Sequence, residues 1–300
     1  MNPAELLDIT CTILDRAGGS DTGALAPTRG VLLLRSVAPS PLEGTVYEPV
    51  LCMVLQGAKQ VVVEDAVVTL GPGDALVVSH VMPVMSTITR ASAAEPYVAC
   101  ILELDLALLR ELRIDVDDAT DRADHTRARS ALSSGRAGPK LTDAIGRYLT
   151  LDHDGSEGRA LGPTILREIY LRLLLDEHGA TLRELLDHDS NAALVARAIA
   201  RIRSDYNEPI AVPELARELG MSTSSLHDHF RRVTSTTPLR YQKELRLQEA
   251  RRLLASGPAT VTTVAAEVGY ASPSQFSREY SRRFGEPPSR HSTVAAGSTP

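Results

Sequence analysis

One short pattern occurs twice in the last third of the chain, and it constrains the fold more than any other feature. In both copies, small, apolar, glycine, serine and proline positions recur at nearly the same spacing. The first copy consists of Leu215, Ala216, Gly220, Ser222, Leu226, Phe230, Ser235 and Pro238. The second copy consists of Val264, Ala265, Gly269, Ser272, Phe276, Tyr280, Gly285 and Pro288. A repeat of this kind predicts two copies of one supersecondary unit.

The spacing within each copy predicts a helix, a tight turn and a second helix. Gly220 and Gly269 fall where the first helix would end, and glycine readily adopts the positive φ needed there. Ser222 and Ser272 are suited to cap the second helix with a side-chain oxygen. Apolar pairs four residues apart then give that helix one buried stripe. This is the pattern of a helix-turn-helix, whose second helix commonly enters the major groove of DNA.

The opposite faces of the two second helices carry the candidate DNA-binding side chains. In the first copy these are Ser224, Ser225, Asp228, Arg231 and Arg232. In the second copy they are Ser274, Gln275, Arg278 and Arg282. Two purely structural helical hairpins are the alternative, but a repeated pattern of this length favours DNA binding. His227 and His229 flank Asp228, and we expect a partly buried His229 and a phosphate-facing His227 rather than a metal site.

The charge distribution agrees with contact between the C-terminal region and phosphate groups. Residues 191–300 contain 15 Lys and Arg against 10 Asp and Glu, whereas residues 1–190 contain 17 against 28. A basic domain on an acidic chain is expected when one domain alone meets nucleic acid.

The segment 238–254 between the two copies predicts a linker helix. Its apolar positions follow a helical period and consist of Tyr241, Leu245, Ala250, Leu253 and Leu254. A helix of this length spans about 25 Å. It would hold the two recognition helices about one DNA turn apart, roughly 34 Å, on one face of the duplex.

Residues from about 191 to 291 resemble the DNA-binding domain of the AraC/XylS family of bacterial transcription regulators. The residues that carry the resemblance are both copies of the repeat together with Met221, Arg246, Leu247, Tyr270, Ser277, Arg278, Glu279 and Phe284. The resemblance implies seven helices in two subdomains, double-stranded DNA as a partner and RNA polymerase as a further one.

Two residues depart from the family pattern. Ser235 stands where glycine is usual, which predicts a strained or differently shaped turn. Asp228 lies in the middle of the first recognition face, where an acid would repel phosphate. It could accept a hydrogen bond from cytosine N4, or mark a first copy that contributes less to base reading, and we prefer the second interpretation.

The sequence of the first third of the chain predicts a β-rich domain. Short apolar runs separated by turn signals favour a small barrel or sandwich. The predicted strands are 31–34, 51–55, 60–63, 67–70, 75–78 and 98–102, and the predicted turns include 56–59 and 71–74. The segments 46–49, 55–59, 72–74 and 82–84 resemble the cupin-like, AraC-type N-terminal sensor domain. The expected fold class is therefore α+β, with a cupin-like barrel, flanking helices and a C-terminal all-α domain.

We expect this barrel to bind a small-molecule effector rather than to catalyse a reaction. His80 is the one histidine before residue 125, so the His-x-His pair of metal-binding cupins is missing. The sequence therefore predicts no metal, no cofactor and no enzymatic activity. The candidate effector-binding residues are Tyr47, Glu48, Lys59, His80 and Tyr97. Each has an ordinary alternative: Lys59 would be solvated on a turn, the tyrosines would be packing residues, and His80 would be a loop side chain.

Residues 106–112, 141–149 and 164–175 predict helices, with loop breaks at 133–135 and 152–158. The third helix carries more apolar positions than one flank of a barrel requires, namely Ile165, Leu166, Ile169 and Leu173. We interpret this stripe as a homodimer interface, with packing onto the subunit's own barrel as the alternative.

The expected organisation has five parts. They are a helical segment 1–27, the barrel 28–104, a helical flank 105–189, the DNA-binding domain 190–291 and a disordered tail 292–300. The joint between the two large parts is predicted at 188–191 and is short, so the domains are expected to touch.

Three widely spaced cysteines and the lack of a long apolar run predict a reduced, cytoplasmic protein. We expect Cys52 and Cys100 to be buried in strands, and Cys11 is the one candidate for redox or electrophile sensing. The sequence thus predicts an effector-responsive, sequence-specific transcription regulator. A ligand-independent DNA-binding adaptor and a cupin-like enzyme fused to a DNA-binding domain are the alternatives.

Overall fold

The structure is a computed structural model that describes residues 1–18, 22–64, 66–117, 130–187, 190–256 and 259–291. Its strands are β1 (Gly23–Thr28), β2 (Val31–Ser36), β3 (Glu43–Tyr47), β4 (Val50–Gln56), β5 (Ala58–Val63), β6 (Ala66–Leu70), β7 (Asp74–Val78), β8 (Met82–Arg90), β9 (Tyr97–Glu103) and β10 (Leu132–Arg136). They form a six-stranded sheet ordered β1-β2-β9-β4-β7-β10 and a four-stranded sheet ordered β3-β8-β5-β6. The paired strands are antiparallel, and the two sheets face each other as the sides of a flattened barrel.

The larger sheet is buried on both of its faces. Because side chains alternate along a strand, Leu51 and Met53 of β4 point to one face while Cys52 and Val54 point to the other. The first pair packs against helices of the same half of the chain. The second pair faces the smaller sheet and belongs to a cluster that continues into the C-terminal helices. We call this cluster the shared core; its members include Cys52, Val54, Val61, Val63, Leu76, Val78, Val84, Tyr97, Ala99, Ala192, Val195, Ile199, Leu215, Leu226, Phe230, Val233, Tyr241 and Leu245.

Five helices pack with the outer face of the six-stranded sheet. They are α1 (Pro3–Arg16), α2 (Leu106–Asp117), α3 (Pro139–Leu149), α4 (Ser156–Leu175) and α5 (Gly179–Leu186). Helix α1 begins with a capping box, in which Asn2 Oδ1 accepts the Glu5 amide and the Glu5 carboxylate accepts the Asn2 amide, both at 2.9 Å. The expected α+β class with a barrel and flanking helices is therefore confirmed.

Helix α4 uses its apolar stripe within its own subunit. Ile169 and Leu173 are fully buried in the core between the helices and the sheet, and Ile165 and Leu166 pack against the same core. The preferred interpretation of this stripe as a dimer interface is therefore corrected, because these side chains are buried within the subunit and the alternative, intramolecular packing, is the one observed. The helix also begins at Ser156 rather than after Pro163, which lies inside it.

Three features of the barrel differ from the predicted strands and turns. Residues 133–135, predicted as a loop break, lie within β10, which pairs along its whole length with β7. Its sequence Leu-Ser-Ser-Gly-Arg lacks an apolar pattern, and backbone pairing alone places it at the sheet edge. Strands β1 and β3 have the same weak pattern. Strand β8 contains Pro83, which is tolerated because it pairs there with β3 only, while β5 pairs from Met85 onwards.

The predicted turn 56–59 is a one-residue link at Gly57. This glycine has φ +79°, and a Cβ atom there would lie 2.5 Å from the Arg90 carbonyl oxygen and 2.9 Å from the Tyr97 Cα. Glycine therefore permits a close approach of three chain segments. As a result Lys59 is a residue of β5 and not a solvated turn residue, which corrects the expectation from the sequence.

The C-terminal region contains α6 (Asn191–Ser204), α7 (Val212–Glu218), α8 (Thr223–Thr234), α9 (Pro238–Ser256), α10 (Val261–Glu267), α11 (Pro273–Phe284) and a 3-10 turn (Pro288–Arg290). The family resemblance implied seven helices, and in the described residues the seventh is this single 3-10 turn.

Two predicted segments lie outside the described residues. They are residues 188 and 189 of the predicted interdomain joint and the predicted tail 292–300.

Helix α9 belongs to two apolar cores at once. Tyr241 and Leu245 near its start lie in the shared core. Leu247, Ala250 and Leu254 lie in a separate core with α10 and α11. With 19 residues, the helix is roughly 28 Å long, and it confirms the predicted linker helix between the two units.

Ser235 and Gly285 end α8 and α11 in the same left-handed conformation, with φ of 61° and 76°. In each case the amide of the capping residue donates 2.8 Å to a carbonyl four residues earlier. The turn at Ser235 therefore has the shape that glycine gives at the equivalent position. This conformation costs a residue with a Cβ atom about 1–2 kcal/mol. Serine in place of the usual glycine at position 235 therefore strains the backbone without changing the shape of the turn.

Exchanging the two capping residues tests this strain. Ser235→Gly is expected to raise the free energy of unfolding by about 0.5–1 kcal/mol, because the relief of strain exceeds the added entropy of the unfolded chain. Gly285→Ser is expected to lower it by about 1 kcal/mol, since a Cβ atom there meets nothing within 4 Å and only conformational strain remains. Urea unfolding measures both changes. A lower free energy of unfolding in Ser235→Gly, or a higher one in Gly285→Ser, would contradict the strain at Ser235.

Candidate functional site

The first recognition unit consists of α7 and α8. Its turn contains Gly220 with φ +70°, and the Met221 amide donates 2.9 Å to the Ala216 carbonyl. Ser222 caps α8 by accepting the Ser225 amide at 3.1 Å. Leu226, Phe230 and Val233 of α8 are fully buried in the shared core. The predicted helix, turn, cap and apolar stripe are all present.

The second unit, α10 and α11, repeats this construction. Gly269 has φ +86°, and the Tyr270 amide donates 2.9 Å to the Ala265 carbonyl. Ser272 caps α11 by accepting the Gln275 amide at 3.3 Å. Phe276 and Tyr280 are fully buried and pack with Tyr270 and Phe284 through tilted and edge-on ring contacts. The aromatic stripe fixes which face of α11 points outwards.

The outer faces of α8 and α11 carry the predicted DNA-binding residues. Exposed among them are Ser224, Asp228, Arg231, Arg232, Ser274, Gln275, Arg278 and Arg282, while Ser225 is half-buried. Within the described residues, the four arginines form neither an ion pair nor a hydrogen bond with the protein. By contrast, Arg203 of α6, Arg240 of α9 and Arg283 on the inner side of α11 are all paired with glutamates. The recognition faces therefore present cations that no carboxylate of the described residues pairs with.

His227 and His229 are both half-buried beside the exposed Asp228. Burial lowers the pKa of His229, and the nearby Arg232 lowers it further, against an opposing effect of Asp228. His229 is therefore neutral at pH 7, in agreement with the expected partly buried position.

Helix α9 fixes the second unit through charged and polar contacts. Arg246 donates to the Tyr206 carbonyl at 2.6 Å and to the Gly269 carbonyl at 2.9 Å. Arg283 of α11 donates 2.6 Å to Glu244, and Lys243 lies 2.7 Å from Glu279. These contacts make the orientation of α11 relative to α9 specific. From the sequence, Arg246 was one residue of the family pattern, but its role in joining α6, α9 and the second turn depends on contacts distant in sequence.

The barrel contacts the end of α8 and the start of α9 along a seam of hydrogen bonds and ion pairs. The Ala131 amide donates 2.7 Å to the Val233 carbonyl at the end of α8. Glu64 accepts the Thr236 hydroxyl at 2.7 Å and pairs with Arg240 at 2.8 Å. The Tyr241 hydroxyl donates 2.7 Å to the barrel at the Val81 carbonyl. The expectation that the domains touch is thus confirmed.

Two of the effector candidates, Glu48 and His80, lie at this seam and not between the sheets. Glu48 is exposed, and its two carboxylate oxygens accept hydrogen bonds from Arg203, from Nη2 at 2.7 Å and from Nη1 at 3.2 Å. It also lines a cleft of about 630 Å³ between β3 and α9. His80 is buried, with Nε2 at 3.0 Å from the Ala192 carbonyl of α6 and Nδ1 at 2.8 Å from the Ser79 hydroxyl. Because a carbonyl only accepts, Nε2 carries the proton and Nδ1 accepts from Ser79.

The other three candidates, Tyr47, Lys59 and Tyr97, meet between the sheets next to Cys52. Lys59 Nζ lies 5.2 Å from the centre of the Tyr47 ring. Burial alone would lower the pKa of Lys59, but Tyr47 and Cys52 outweigh burial and the pKa is raised. Burial raises the pKa of both Tyr97 and Cys52. At neutral pH this cluster therefore holds one ammonium, a protonated Tyr97 phenol and a protonated thiol.

The cysteines follow the expectation in part. Cys52 and Cys100 are buried in strands as predicted, and burial raises the pKa of Cys100 to about 12. Cys11 is half-buried on α1. The proximity of Cys52 to Tyr97 could not be found from the sequence, since the two lie on different strands.

The described residues contain neither a metal-ligand cluster nor a membrane-spanning helix. In that part of the chain, no three His, Cys, Asp or Glu side chains lie together as metal ligands would. Likewise, none of the described helices is long and apolar enough to cross a membrane.

The family model of the AraC-type transcriptional regulator N-terminus matches residues 27–181, which is more than half of the chain. The chain belongs to the AraC-type transcriptional regulators. A second model, for a helix-turn-helix domain, matches residues 215–293 of this AraC-type chain.

Known proteins of the same type match the chain over part of their length. The probable thc operon regulatory protein of Rhodococcus erythropolis is 31% identical over 163 residues, covering 52% of this chain and 48% of that protein. The HTH-type transcriptional activator RhaS of Escherichia coli O139:H28 is 30% identical over 140 residues, covering 46% of this chain and 50% of RhaS. The chain spans about half the length of the curated relatives it matches.

The two-part fold is also known from solved structures. A structure of ToxT from Vibrio cholerae superposes with a TM-score of 0.55 at 12% identity, covering 87% of this chain and 96% of ToxT. Wild-type ToxT from strain SCE256, described as bound to unsaturated fatty acid, gives 0.53 at 12% identity, covering 89% and 96%. At these identities the likeness shows that the AraC-type chain shares its fold with ToxT.

The buried His80 predicts an acid-sensitive seam. Burial lowers its pKa to about 4, against an ordinary value of 6.5. The unfolded chain binds the proton at higher pH than the folded chain, so the His80 contribution is complete above pH 6.5 and decreases as the pH falls towards 4. The loss amounts to about 3 kcal/mol over this window.

The variant His80→Gln keeps hydrogen-bonding groups but cannot titrate. We expect the free energy of unfolding of the parent chain to fall more steeply than that of the variant between pH 7 and pH 4.5. Urea unfolding at a series of pH values measures both, and the acidic side chains common to the two proteins cancel in the difference. Parallel profiles would show that His80 does not cause the acid sensitivity.

Proposed function

We propose that the chain is a sequence-specific DNA-binding transcription regulator that reads duplex DNA with α8 and α11. The observation that carries this proposal is the pair of capped helices whose outer faces present arginines without an ion-pair partner among the described residues. Their inner faces are pinned by apolar stripes, so these arginines are held outwards. Free guanidinium groups on a helix of this size are suited to phosphates and to the major-groove edge of guanine.

The two recognition faces differ in charge, and we assign them different tasks. On α11, Arg278 and Gln275 read base edges, and Arg282 contacts phosphate. On α8, Arg231 and Arg232 near the helix end contact phosphates, while Asp228 weakens the approach of the middle of the face to the backbone. The second unit therefore supplies the larger share of base reading.

The barrel is the effector-binding part of the proposed regulator. Tyr47, Lys59 and Tyr97 supply polar groups at its interior, which is otherwise apolar, as small-molecule sites generally are. Glu48 and His80 lie at the seam, where they hold the barrel against α6. An effector acts in this scheme by binding one arrangement of the seam more tightly than another.

The shared core also favours a second candidate, a ligand-independent DNA-binding adaptor. A barrel that completes the core of the first recognition unit would be needed for folding even without a ligand. A thermal-shift screen separates the two functions, because only an effector-responsive regulator is stabilised by a small molecule.

The partners of the proposed regulator follow from its role. It binds DNA as a homodimer and contacts RNA polymerase, and it acts in the cytoplasm where its DNA target lies. The contacts that would form a dimer are not those of the buried stripe of α4. Family membership favours a regulator over an enzyme, and no catalytic role is proposed.

A substitution on α11 tests DNA reading directly. Arg278→Ala is expected to weaken binding to a duplex selected by the full chain by about 1–3 kcal/mol and to relax preference at one base pair. Arg110 is exposed on α2, so Arg110→Ala is a matched control that should change neither property. Fluorescence anisotropy titrations at one fixed salt concentration measure both. Unchanged affinity together with unchanged base preference in Arg278→Ala would refute the assigned role.

A further inference from the structure

The loop 205–211 leads from α6 into the first recognition unit, yet it contacts the turn of the second. A Cβ atom on Gly269 would overlap the carbonyl oxygen of Asn207 in this loop and lie 2.9 Å from the Asn207 Cα. Gly220 occupies the equivalent position in the first unit, and a Cβ atom there would meet nothing within 4 Å. Both glycines have a positive φ, but only Gly269 is also needed for a close approach of another chain segment.

Two side chains of α9 bind the same loop. Gln242, which is 5% exposed, donates to the carbonyl oxygens of Tyr206 at 2.9 Å and of Glu208 at 2.6 Å. Arg246 donates to the same two carbonyls, at 2.6 and 3.0 Å. It also donates 2.9 Å to the carbonyl of Gly269. One guanidinium group therefore connects α9, the loop and the second turn. We call these five hydrogen bonds the inter-unit contact.

Arginine is suited to this position by its shape and its charge. The planar guanidinium group carries five N–H donors and no acceptor, so it can bind carbonyls of two chain segments at once. A hydrogen bond from a charged donor is roughly twice as strong as one between neutral groups. Arg246 is half-buried, which reduces the competition of water for the same carbonyls.

Apolar packing places the loop at the same boundary. Tyr206 packs against the shared core and also against the separate core of the second unit. The linker helix α9 is thus not the single connection between the two units. A lone helix would let the second unit bend about its end, whereas a loop packed and hydrogen-bonded beside it opposes such bending.

We infer that Arg246 is a positioning residue that fixes the distance and angle between α8 and α11, and so makes the chain select DNA sites by the spacing of their two segments. The inference rests on the proposed function and specifies one part of it. Arg246 acts through the loop and the second turn, and it contacts no base or phosphate in this scheme.

Duplexes with altered spacing test this role. One base pair is inserted or removed between the two segments of a site selected by the full chain, which shifts the second segment by about 3.4 Å and turns it by roughly 35°. The parent chain should bind either altered duplex about tenfold or more weakly, because the second unit loses base contacts. In Arg246→Met this spacing penalty should shrink to about threefold or less, since a unit that can bend follows its displaced segment. Fluorescence anisotropy titrations measure the affinities.

The spacing penalty is a ratio of two affinities of one protein, so a smaller folded fraction cancels in it. Arg252 is exposed on the same helix and donates to Glu249 of that helix, so Arg252→Met should keep the parental penalty. Gly269→Ala displaces the loop from the second turn and should reduce the penalty as Arg246→Met does. Gly220→Ala brings the same backbone strain without the overlap and should keep it.

A milder variant covers the case in which Arg246→Met does not fold. Gln242→Met removes two of the five hydrogen bonds and leaves Arg246 in place. Its spacing penalty should lie between those of the parent chain and Gly269→Ala. A parental penalty in both Gln242→Met and Gly269→Ala would overturn the inference.

Spin labels measure the inter-unit contact without DNA. Labels at Glu214→Cys on α7 and Thr262→Cys on α10, both exposed positions, report the distance between the units in a chain that carries Cys11→Ser. The two remaining cysteines are buried in strands. We expect one narrow distance distribution for the parent chain and a broader one for Arg246→Met.

The outcomes separate this inference from the proposed function. A parental spacing penalty in Arg246→Met, a parent chain that tolerates altered spacing, or a distance distribution that Arg246→Met leaves unchanged would each overturn the inference while DNA reading stands. A chain that selects no duplex refutes the proposed function. A distribution that still broadens in Arg246→Met would then show that the inter-unit contact itself holds.

Discussion

The shared core is the interaction on which the rest of the structure depends. One continuous apolar cluster runs from between the two sheets to the inner stripe of α8. Val54 and Val84 contribute from the barrel, and Phe230 and Tyr241 from the helices, all of them fully buried. Burying a side chain of this size stabilises a fold by about 1.5–3 kcal/mol. The first recognition helix and the barrel therefore share one apolar core.

This arrangement makes the two recognition units unequal. The second unit has its own core with α9, and its aromatic stripe needs no residue of the barrel. The first unit is bound to the barrel through the shared core and the Ala131–Val233 hydrogen bond. Glu64 adds contacts with Thr236, between α8 and α9, and with Arg240 of α9. In the proposed regulator, a change between the sheets would reach α8 directly and α11 only through α9. The stronger positive face of α11 and the acid on α8 agree with this division.

The sequence predicted best those features that short-range geometry determines. The positive φ of Gly220 and Gly269, the caps at Ser222 and Ser272 and the buried stripes all depend on residues within one turn or one helix. Strands with a clear apolar run were also predictable, whereas β10, with its polar sequence, was not. It exists because β7 offers an unpaired edge, and a sheet edge is a property of the whole barrel.

The candidate site residues also differ in whether local sequence determines their contacts. The outward residues of α8 and α11 followed from helical spacing alone. Tyr47, Lys59 and Tyr97 were selected as separate candidates, but their meeting depends on three strands and on the one-residue link at Gly57. The contacts of Glu48 and His80 at the seam could not be predicted, because their partners, Arg203 and Ala192, lie more than a hundred residues away. Such contacts leave no local signal in a sequence.

In the proposed regulator, α8 and α11 of one chain are held so that both bind a single DNA duplex. Selection of bound sequences from random double-stranded DNA by the full chain tests it most directly. We expect enriched sites in which each bound subunit accounts for two preferred segments whose centres lie about 10 base pairs apart, one helical turn of the duplex. No enrichment at low salt, or enrichment of one short segment alone, would contradict it.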